Sequence, residues 1–399
     1  MQYTRSRRLK ASLAGLVALG LLGLCQITYA APSSAEAPII DLYTMGVGDL
    51  VTEKFGHAAM CTRYPSRPSQ DRCYNYGTTN FKDPAGMGWG FVRGRSRFWV
   101  SVTTPEKMMD LYISKDRTVW VQELPLSESQ ARAIADKLRF DSREENRYYH
   151  YHHYHDNCTT RIRDIIDEHT GGLLSRDSDK PIGPSYRDLT RRGFAHVPIL
   201  SIVSDYVLGR IGDETPSEYE AMFLPDVFRE SVRQRLGVEP FALYERGGPP
   251  FDQTPGLERL LVFLITFILV GPLWFCLSRG VWKRWLASPA ILGIFLGGLV
   301  LWVLAILSPL PMARYNENLL LLFPGDIALL FLSAARSRRY AQVRVVIILL
   351  AVVASAIGLL AQPLWAVAAL PLLALLPFVL GLKDAQEKAA PAEASAPEA

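Results

Sequence analysis

Five apolar runs in the last third of the chain constrain its fold more than any other sequence feature. They cover residues 260–277, 286–307, 319–332, 345–361 and 364–382. A helix needs about 20 mainly apolar residues to cross a bilayer, and only the third run is clearly short for this. Pro324, Gly325 and Asp326 also interrupt that run. The sequence therefore predicts an all-α membrane bundle of about five transmembrane helices over residues 259–382.

Charged residues between the runs predict the orientation of this bundle. Basic residues cluster after the first and third runs: Arg279, Lys283, Arg284, Arg336, Arg338, Arg339 and Arg344. The loop after the second run contains one basic residue, Arg314. Because positive loops stay in the cytoplasm, residues 32–258 are expected outside it and residues 383–399 inside. That last segment is rich in Ala, Pro and Glu, and we expect it to be a disordered cytoplasmic tail.

The N-terminus has the pattern of a secretory signal peptide. A basic stretch from Arg5 to Lys10 precedes an apolar core, and Thr28 and Ala30 supply small residues before a cleavage point. We therefore expect residues 1–31 to be a signal peptide and residues 32–258 to be a periplasmic domain. The net charge of +4 is largely explained by membrane flanks, so we expect the bilayer, and no nucleic acid, as a partner.

Residues 148–167 have the features of a reactive site. Before Asp156, Tyr and His alternate as in a strand with two different faces. After it, isoleucines fall at helical spacing: Ile162, Ile165 and Ile166. Either Asp156 or Asn157 can cap this helix, which places Cys158 in its first turn. The helix dipole and free N–H groups there favour the thiolate, so Cys158 is a candidate nucleophile.

The cysteine count of the exported part bears on this interpretation. Cys61, Cys73 and Cys158 remain after signal cleavage. Cys61 and Cys73 lie within an apparent hairpin and can form a disulfide, although both can equally be free. An unpaired Cys158 in an oxidising compartment would be either buried or functional. Packing is the ordinary alternative, since Cys158 shares a helical face with Ile162.

A cysteine nucleophile requires a base, and His57 is the first histidine of the chain. Residues 55–60 read as the start of a strand, and residues 73–77 as a strand paired with it. Asn75 on the second strand has a side-chain oxygen that would orient the imidazole. The alternative for His57 is a core histidine, and for Asn75 a turn residue.

Four further histidines precede the cysteine: His150, His152, His153 and His155. In a continuous strand, His150 and His152 face one side and the other two face the opposite side, so one metal ion cannot collect all four. The sequence therefore predicts neither a metal site nor a cofactor. His155 and Asn157 are expected to help position Cys158.

Three segments, FGHAAM, YNYGTTNF and YHDNCTTRIRD, resemble the N-terminal periplasmic domain of the bacterial Lnb-like family. Members of that family resemble lipoprotein N-acyltransferases. An early histidine on a strand and a later cysteine at a helix start are also similar to circularly permuted papain-like enzymes. The resemblance implies an α+β permuted papain-like fold, with His57 as base and Cys158 as nucleophile. Asn75 carries over less firmly, because the third residue varies among such enzymes.

The resemblance continues into the membrane part at residues 316–320 and covers nearly the whole chain. It implies a thiol acyltransferase of the inner membrane that acts on phospholipid or diacylated lipoprotein and acylates a lipoprotein N-terminal amine. The alternatives are a periplasmic cysteine hydrolase and a non-catalytic lipid- or lipoprotein-binding protein. Asn316, Asn318 and Asp326 are expected at the outer surface, at the mouth of a lipid-accessible site.

Overall fold

The computed structural model describes residues 36–80, 82–251, 258–279 and 284–381. The predicted signal peptide, residues 1–31, and the predicted tail, residues 383–399, lie outside the described residues.

An antiparallel sheet forms the centre of the exported domain, with its strands in the order β6-β4-β3-β2-β1-β5-β7. The strands are β1 (Ile39–Met45), β2 (His57–Arg63), β3 (Arg72–Thr78), β4 (Arg97–Thr103), β5 (Val119–Glu123), β6 (Tyr148–His150) and β7 (Phe241–Tyr244). The predicted strands around residues 55–60 and 73–77 correspond to β2 and β3. They pair with Cys61 opposite Cys73, and these two cysteines form a disulfide. Of the two possibilities left open by the sequence, the bridged one is present.

Helices cover both faces of this sheet. They are α1 (Pro84–Val92), α2 (Pro105–Ser114), α3 (Glu128–Asp141), α4 (Cys158–His169), α5 (Tyr186–Phe194), α6 (Pro198–Val207), α7 (Glu218–Ala221) and α8 (Pro225–Leu236). Side chains alternate along the strands, so Ala58 faces a core shared with α3, α4 and α8, whereas Ala59 faces a core shared with α2. The predicted α+β class of the exported domain is therefore observed as an antiparallel sheet packed with helices.

The membrane part is helical, but it differs from the predicted five spans. Its helices are α9 (Glu258–Ser278), α10 (Arg284–Leu307), α11 (Pro311–Arg314), α12 (Ala334–Ala356) and α13 (Trp365–Val379). Among the described residues, Ser288–Leu307 and Ala334–Ala356 are long and apolar enough to cross a membrane. Leu260–Cys276 and Trp365–Val379 are shorter apolar helices.

The third apolar run, residues 319–332, is not a transmembrane helix. It forms two short 3₁₀ helices, Glu317–Leu320 and Pro324–Leu330. Proline cannot continue the first of these helices, and the run packs as an irregular segment against α10. Gly298 of α10 makes this close approach possible, because a Cβ there would lie 2.6 Å from the Leu322 carbonyl oxygen.

Candidate active site

The N-terminus of α4 is fixed by Asn157, one of the two predicted caps. Its Oδ1 accepts hydrogen bonds from the N–H groups of Thr159 and Thr160, at 2.8 and 2.9 Å. Its Nδ2 donates to the carbonyl oxygens of His153 and Phe223. The amide therefore joins the first turn of the helix to one preceding and one following loop. Cys158 is the first residue of α4, and its own N–H lies outside this cap.

The side chains of Cys158, His57 and Asn75 come together where β2 and β3 meet this helix start. The Cys158 thiol and the His57 imidazole line the same cavity, close enough for His57 to lower the pKa of the thiol. His57 Nε2 lies 3.3 Å from Asn75 Oδ1. This contact leaves Nδ1 as the imidazole nitrogen that is free to serve the thiol. The arrangement is a thiol, a base and a group that orients the base.

Opposing effects set the pKa of the Cys158 thiol. Burial raises this pKa, but the charge of His57 and the hydrogen bond to it, together with a hydrogen bond from the Ala58 backbone, lower it to about 7. The ordinary value is 9.0. A substantial fraction of the thiol is therefore ionised at neutral pH, which is the reactive form.

A bulge in β3 makes room for the thiol. The register between β3 and β4 shifts between Asn75 and Thr78, and Gly77 within this bulge has φ of 90°. A Cβ on Gly77 would lie 3.3 Å from Cys158 Cβ and 3.9 Å from His57 Cε1. Glycine is therefore favoured here both by its backbone conformation and by the space that the cysteine occupies.

The hydroxyl of Tyr149 points toward the same place. It lies 3.9 Å from the position of a Gly77 Cβ, and it has no hydrogen-bond partner among the described residues although it is buried. Burial and then the nearby Cys158 charge raise the pKa of Tyr149 well above its ordinary value. The phenol is therefore protonated at neutral pH and has an unused hydrogen-bond donor beside the nucleophile.

The thiol opens into a cavity of about 530 Å³, which we call the first cavity. Most of its lining side chains are apolar, and they include Val51, Phe55, Phe91, Phe98, Phe194 and Phe223. Leu310, Met312 and Ala313, which belong to the membrane part, complete the wall. The same loop is hydrogen-bonded to the exported domain, because Gly209 N–H donates to the Met312 carbonyl. The cavity therefore extends from the thiol to the membrane part.

The histidines before Cys158 do not form the predicted alternating strand. β6 ends at His150, which is exposed, and the chain then turns so that His152 and Asp156 form an isolated bridge. Burial lowers the pKa of His152 and of His153 to about 4, so both are neutral at pH 7. No group of three or more His, Cys, Asp or Glu side chains in the described parts of the chain is arranged to hold a metal ion.

His152 and His153 line the first cavity, but His155 lies outside its described lining. The His155 ring packs against that of His152, with centroids 4.7 Å apart, and its backbone N–H donates to His152 Nδ1. Its placement therefore supports the turn before the helix, and an effect of His155 on Cys158 would pass through this turn.

The three polar residues predicted at the mouth of the site lie elsewhere. Asn316 donates to the carbonyl oxygens of Tyr206 and Val207, and its Oδ1 accepts from the Asn318 N–H. Asp326 is fully buried in an ion pair with Arg344 at 2.8 Å. None of the three belongs to the described lining of the first cavity, to which their loop contributes apolar side chains instead.

Tyr149 and Gly77 are site residues that sequence reasoning missed. A glycine inside a strand pattern is a known signal for a bulge or a close approach, so Gly77 had a readable signal. No sequence signal marked Tyr149, because its role depends on a hydroxyl that has no hydrogen-bond partner among the described residues of the folded chain. On the surface of α4, Asp164 pairs with Arg163, and Arg161 pairs with Asp156.

Comparison with known proteins agrees with the resemblance noted in the sequence. Residues 30–192 match the family described as the Lnb N-terminal periplasmic domain. Neither the curated proteins nor the solved structures contain a match to the chain. The matched region includes His57, Asn75, Gly77, Tyr149 and Cys158. Residues 30–192 are therefore similar to an Lnb periplasmic domain, and this match together with the two long apolar helices suggests a membrane protein with a periplasmic domain.

Proposed function

We propose that this protein is a membrane-bound thiol acyltransferase that acylates the N-terminal amine of bacterial lipoproteins. The observation that carries the proposal is that Cys158 and His57 line the same largely apolar cavity, whose wall also includes residues of the membrane part. The Lnb-like match supports the choice of lipoproteins as acceptors. A permuted papain-like relationship and a multi-pass location in the inner membrane belong to the same proposal.

In the first half-reaction, the Cys158 thiolate attacks the carbonyl carbon of an acyl ester. The carbonyl oxygen becomes an oxyanion, which the Cys158 N–H and the Tyr149 hydroxyl stabilise as donors. When the C–O bond breaks, protonated His57 gives its proton to the leaving alkoxide. The products are a thioester on Cys158 and an alcohol. Asn75 holds the imidazole through Nε2 during both proton transfers.

In the second half-reaction, an amine attacks the thioester. Neutral His57 accepts a proton from the amine, the C–S bond breaks, and the product is an amide with Cys158 again a thiolate. The aromatic and aliphatic wall of the first cavity favours an acyl chain over water as its occupant. An apolar wall of this kind supports transfer to a bound amine over hydrolysis.

The direct test compares the mass spectra of lipoprotein N-terminal peptides from cells with wild-type protein and with Cys158→Ser. We expect N-acylation with the wild type and none with the variant. Cys276→Ser is a matched control, since Cys276 is the other free cysteine of the described chain and lies buried in α9.

Two outcomes would decide against the proposal. Unchanged N-acylation in cells with Cys158→Ser would exclude this protein as the transferase. Release of free fatty acid by purified wild type, with no amide formed when a lipoprotein amine is supplied, would identify a hydrolase.

A further inference from the structure

A second cavity, of about 510 Å³, lies beside the first. Phe55, Gly56 and Pro225 line both cavities. Its other walls come from the end of β1, from β5, from α5, from the start of α8 and from residues 245–251. The mechanism proposed above uses none of the residues that belong to this second cavity alone.

Positive charge predominates in the second cavity. Its charged lining residues are Lys54, Arg192, Arg229, Arg246, Asp226 and Glu245. Arg192 forms an ion pair with Asp226 at 3.0 Å, and Arg246 lies 3.8 Å from Asp49. In the described chain, neither Lys54 nor Arg229 has a carboxylate within 4 Å. Two cations that form no ion pair among the described residues therefore face one concave space, although carboxylates act on each from farther away, Asp49 and Glu53 on Lys54 and Asp226 and Glu230 on Arg229.

Lys54 is the more deeply buried of the two, with 4% of its surface exposed. Its Nζ donates one hydrogen bond, to the Gly48 carbonyl oxygen at 2.9 Å, and lies 5.0 Å from the centroid of the Phe251 ring. An ammonium group has three donors, so two remain for a ligand. Burying such a charge without a counterion is costly, and an anion in the cavity would remove that cost.

Arg229 completes the pair from α8. Its guanidinium lies 3.8 Å from the centroid of the Trp120 ring, and Nη1 is 3.5 Å from Thr44 Oγ1. Stacking on an aromatic face fixes the plane of a guanidinium while its N–H edges stay available. The remaining donors of Arg229 are therefore preorganised for an acceptor with several oxygens.

We propose that this second cavity binds a phosphate group. Lysine as a compact charge and arginine as a planar fork are the partners that phosphate recognition uses, and phosphate offers more acceptor oxygens than a carboxylate does. The second cavity shares Phe55, Gly56 and Pro225 with the first cavity, whose wall includes Leu310, Met312 and Ala313 of the membrane part. The headgroup of a glycerophospholipid is therefore the source of phosphate that we favour. Free inorganic phosphate is the other source of the same chemistry.

The experiment measures binding to full-length protein in detergent and phosphate-free buffer, with Cys158→Ala so that no acyl transfer occurs. The ligands are inorganic phosphate, a short-chain phosphatidylglycerol, and the diacylglycerol with the same chains. We expect the phospholipid to bind about 10- to 100-fold more tightly than the diacylglycerol, because charge-assisted hydrogen bonds hold the phosphate. Lys54→Gln and Arg229→Gln should each remove most of this difference.

Matched variants make the result specific. Arg233→Gln, on the same helix but in an exposed ion pair with Glu230, should keep the full preference for the phospholipid. Lys54→Arg should keep most of it, since the charge is retained. If Lys54→Gln does not fold, as judged by its thermal unfolding, Arg229→Gln decides the matter.

The outcomes separate the two sources and can overturn the inference. If inorganic phosphate binds and the same two variants abolish that binding, while the two lipids bind equally, the site takes free phosphate. If Lys54→Gln and Arg229→Gln bind inorganic phosphate and the phospholipid as tightly as Arg233→Gln does, the cavity is not a phosphate site. Because the protein tested lacks the thiol, this result is independent of whether Cys158 transfers acyl groups.

Discussion

At the scale of single residues, the reactivity of Cys158 depends on its imidazole neighbour more than on its place in the helix. Burial by itself raises the pKa of the thiol, and contact with His57 reverses this effect. A buried cysteine at the same helix N-terminus, without the histidine beside it, would therefore be much less ionised.

The pH dependence of alkylation tests this balance. In the wild type, the rate of Cys158 labelling by iodoacetamide should rise with a midpoint near pH 7, since the thiolate reacts and its pKa is about 7. Because the folded pKa is below the ordinary 9.0, ionisation is lost as the pH falls through 7. In His57→Ala the midpoint should move to higher pH, because burial still raises the pKa of the thiol while the contribution of His57 is gone and only the Ala58 and Thr159 hydrogen bonds still lower it. An unchanged midpoint would mean that His57 does not act on the thiol.

Tyr149 and Tyr76 offer a contrast between a catalytic and a structural hydroxyl. Tyr149→Phe removes a hydroxyl without a hydrogen-bond partner in the described chain, so stability should not fall, whereas kcat for thioester formation from an activated acyl ester should drop about 10²- to 10³-fold. Tyr76→Phe removes a buried hydrogen bond to Asp141 at 2.8 Å and should lower the free energy of unfolding by about 1–3 kcal/mol.

Two further readouts complete this comparison. The alkylation midpoint of Cys158 should be the same in Tyr149→Phe and the wild type, because the hydroxyl acts on the oxyanion. Wild-type kcat in Tyr149→Phe would remove the tyrosine from the mechanism and leave the Cys158 N–H as the proposed donor.

At the scale of elements, the site exists because a bulged strand meets a capped helix. Gly77 at the bulge has φ of 90°, and Asn157 fixes the first turn of α4 opposite to it. The strands supply the histidine and asparagine side of the site, and the helix supplies the sulfur. Neither kind of element forms the site alone, so changes in the bulge should alter the reactivity of a cysteine that is distant in sequence.

Gly77→Ala should lower both stability and thiol reactivity. The left-handed backbone costs alanine about 1–2 kcal/mol, and the added methyl would lie 3.3 Å from Cys158 Cβ. Gly171→Ala is the matched control, because Gly171 has φ of 70° and nothing within 4 Å of the position that its methyl would take. Both variants should lose similar stability in denaturant unfolding, but only Gly77→Ala should slow Cys158 alkylation. Equal alkylation rates in the two variants would show that the bulge does not position the thiol.

At the scale of the whole molecule, the membrane part contributes to the wall of the first cavity. Leu310, Met312 and Ala313 line it, and the loop is held by backbone hydrogen bonds to Gly209 and Arg210. Asp326 and Arg344 anchor the following segment through a fully buried ion pair, in which Arg344 also donates to the Leu320 and Leu321 carbonyls. These contacts give the membrane part a role beyond anchoring.

Leu310→Gln tests that role. A polar side chain in an apolar wall disfavours a long acyl chain by roughly 1–2 kcal/mol, so kcat/KM for a long-chain ester should fall about tenfold. Turnover of an acetyl ester by the same variant should be unchanged, and this serves as an internal control for folding and for the thiol. An equal loss with both esters would mean that Leu310 affects the fold and not the acyl chain.

The sequence alone determined the local features of this protein, because these depend on neighbours along the chain. Helix capping by Asn157 or Asp156, the paired strands around His57 and Asn75, and the apolar character of the C-terminal third could all be read directly. The tertiary structure decided what depends on contacts distant in sequence. In the folded chain, the third apolar run forms two 3₁₀ helices and β6 ends at His150. The Tyr149 hydroxyl lies near Cys158 without a hydrogen-bond partner among the described residues. Leu310, and not Asn316, lines the first cavity. Hydrogen-bond satisfaction and packing are properties of the folded whole, so no local pattern encodes them.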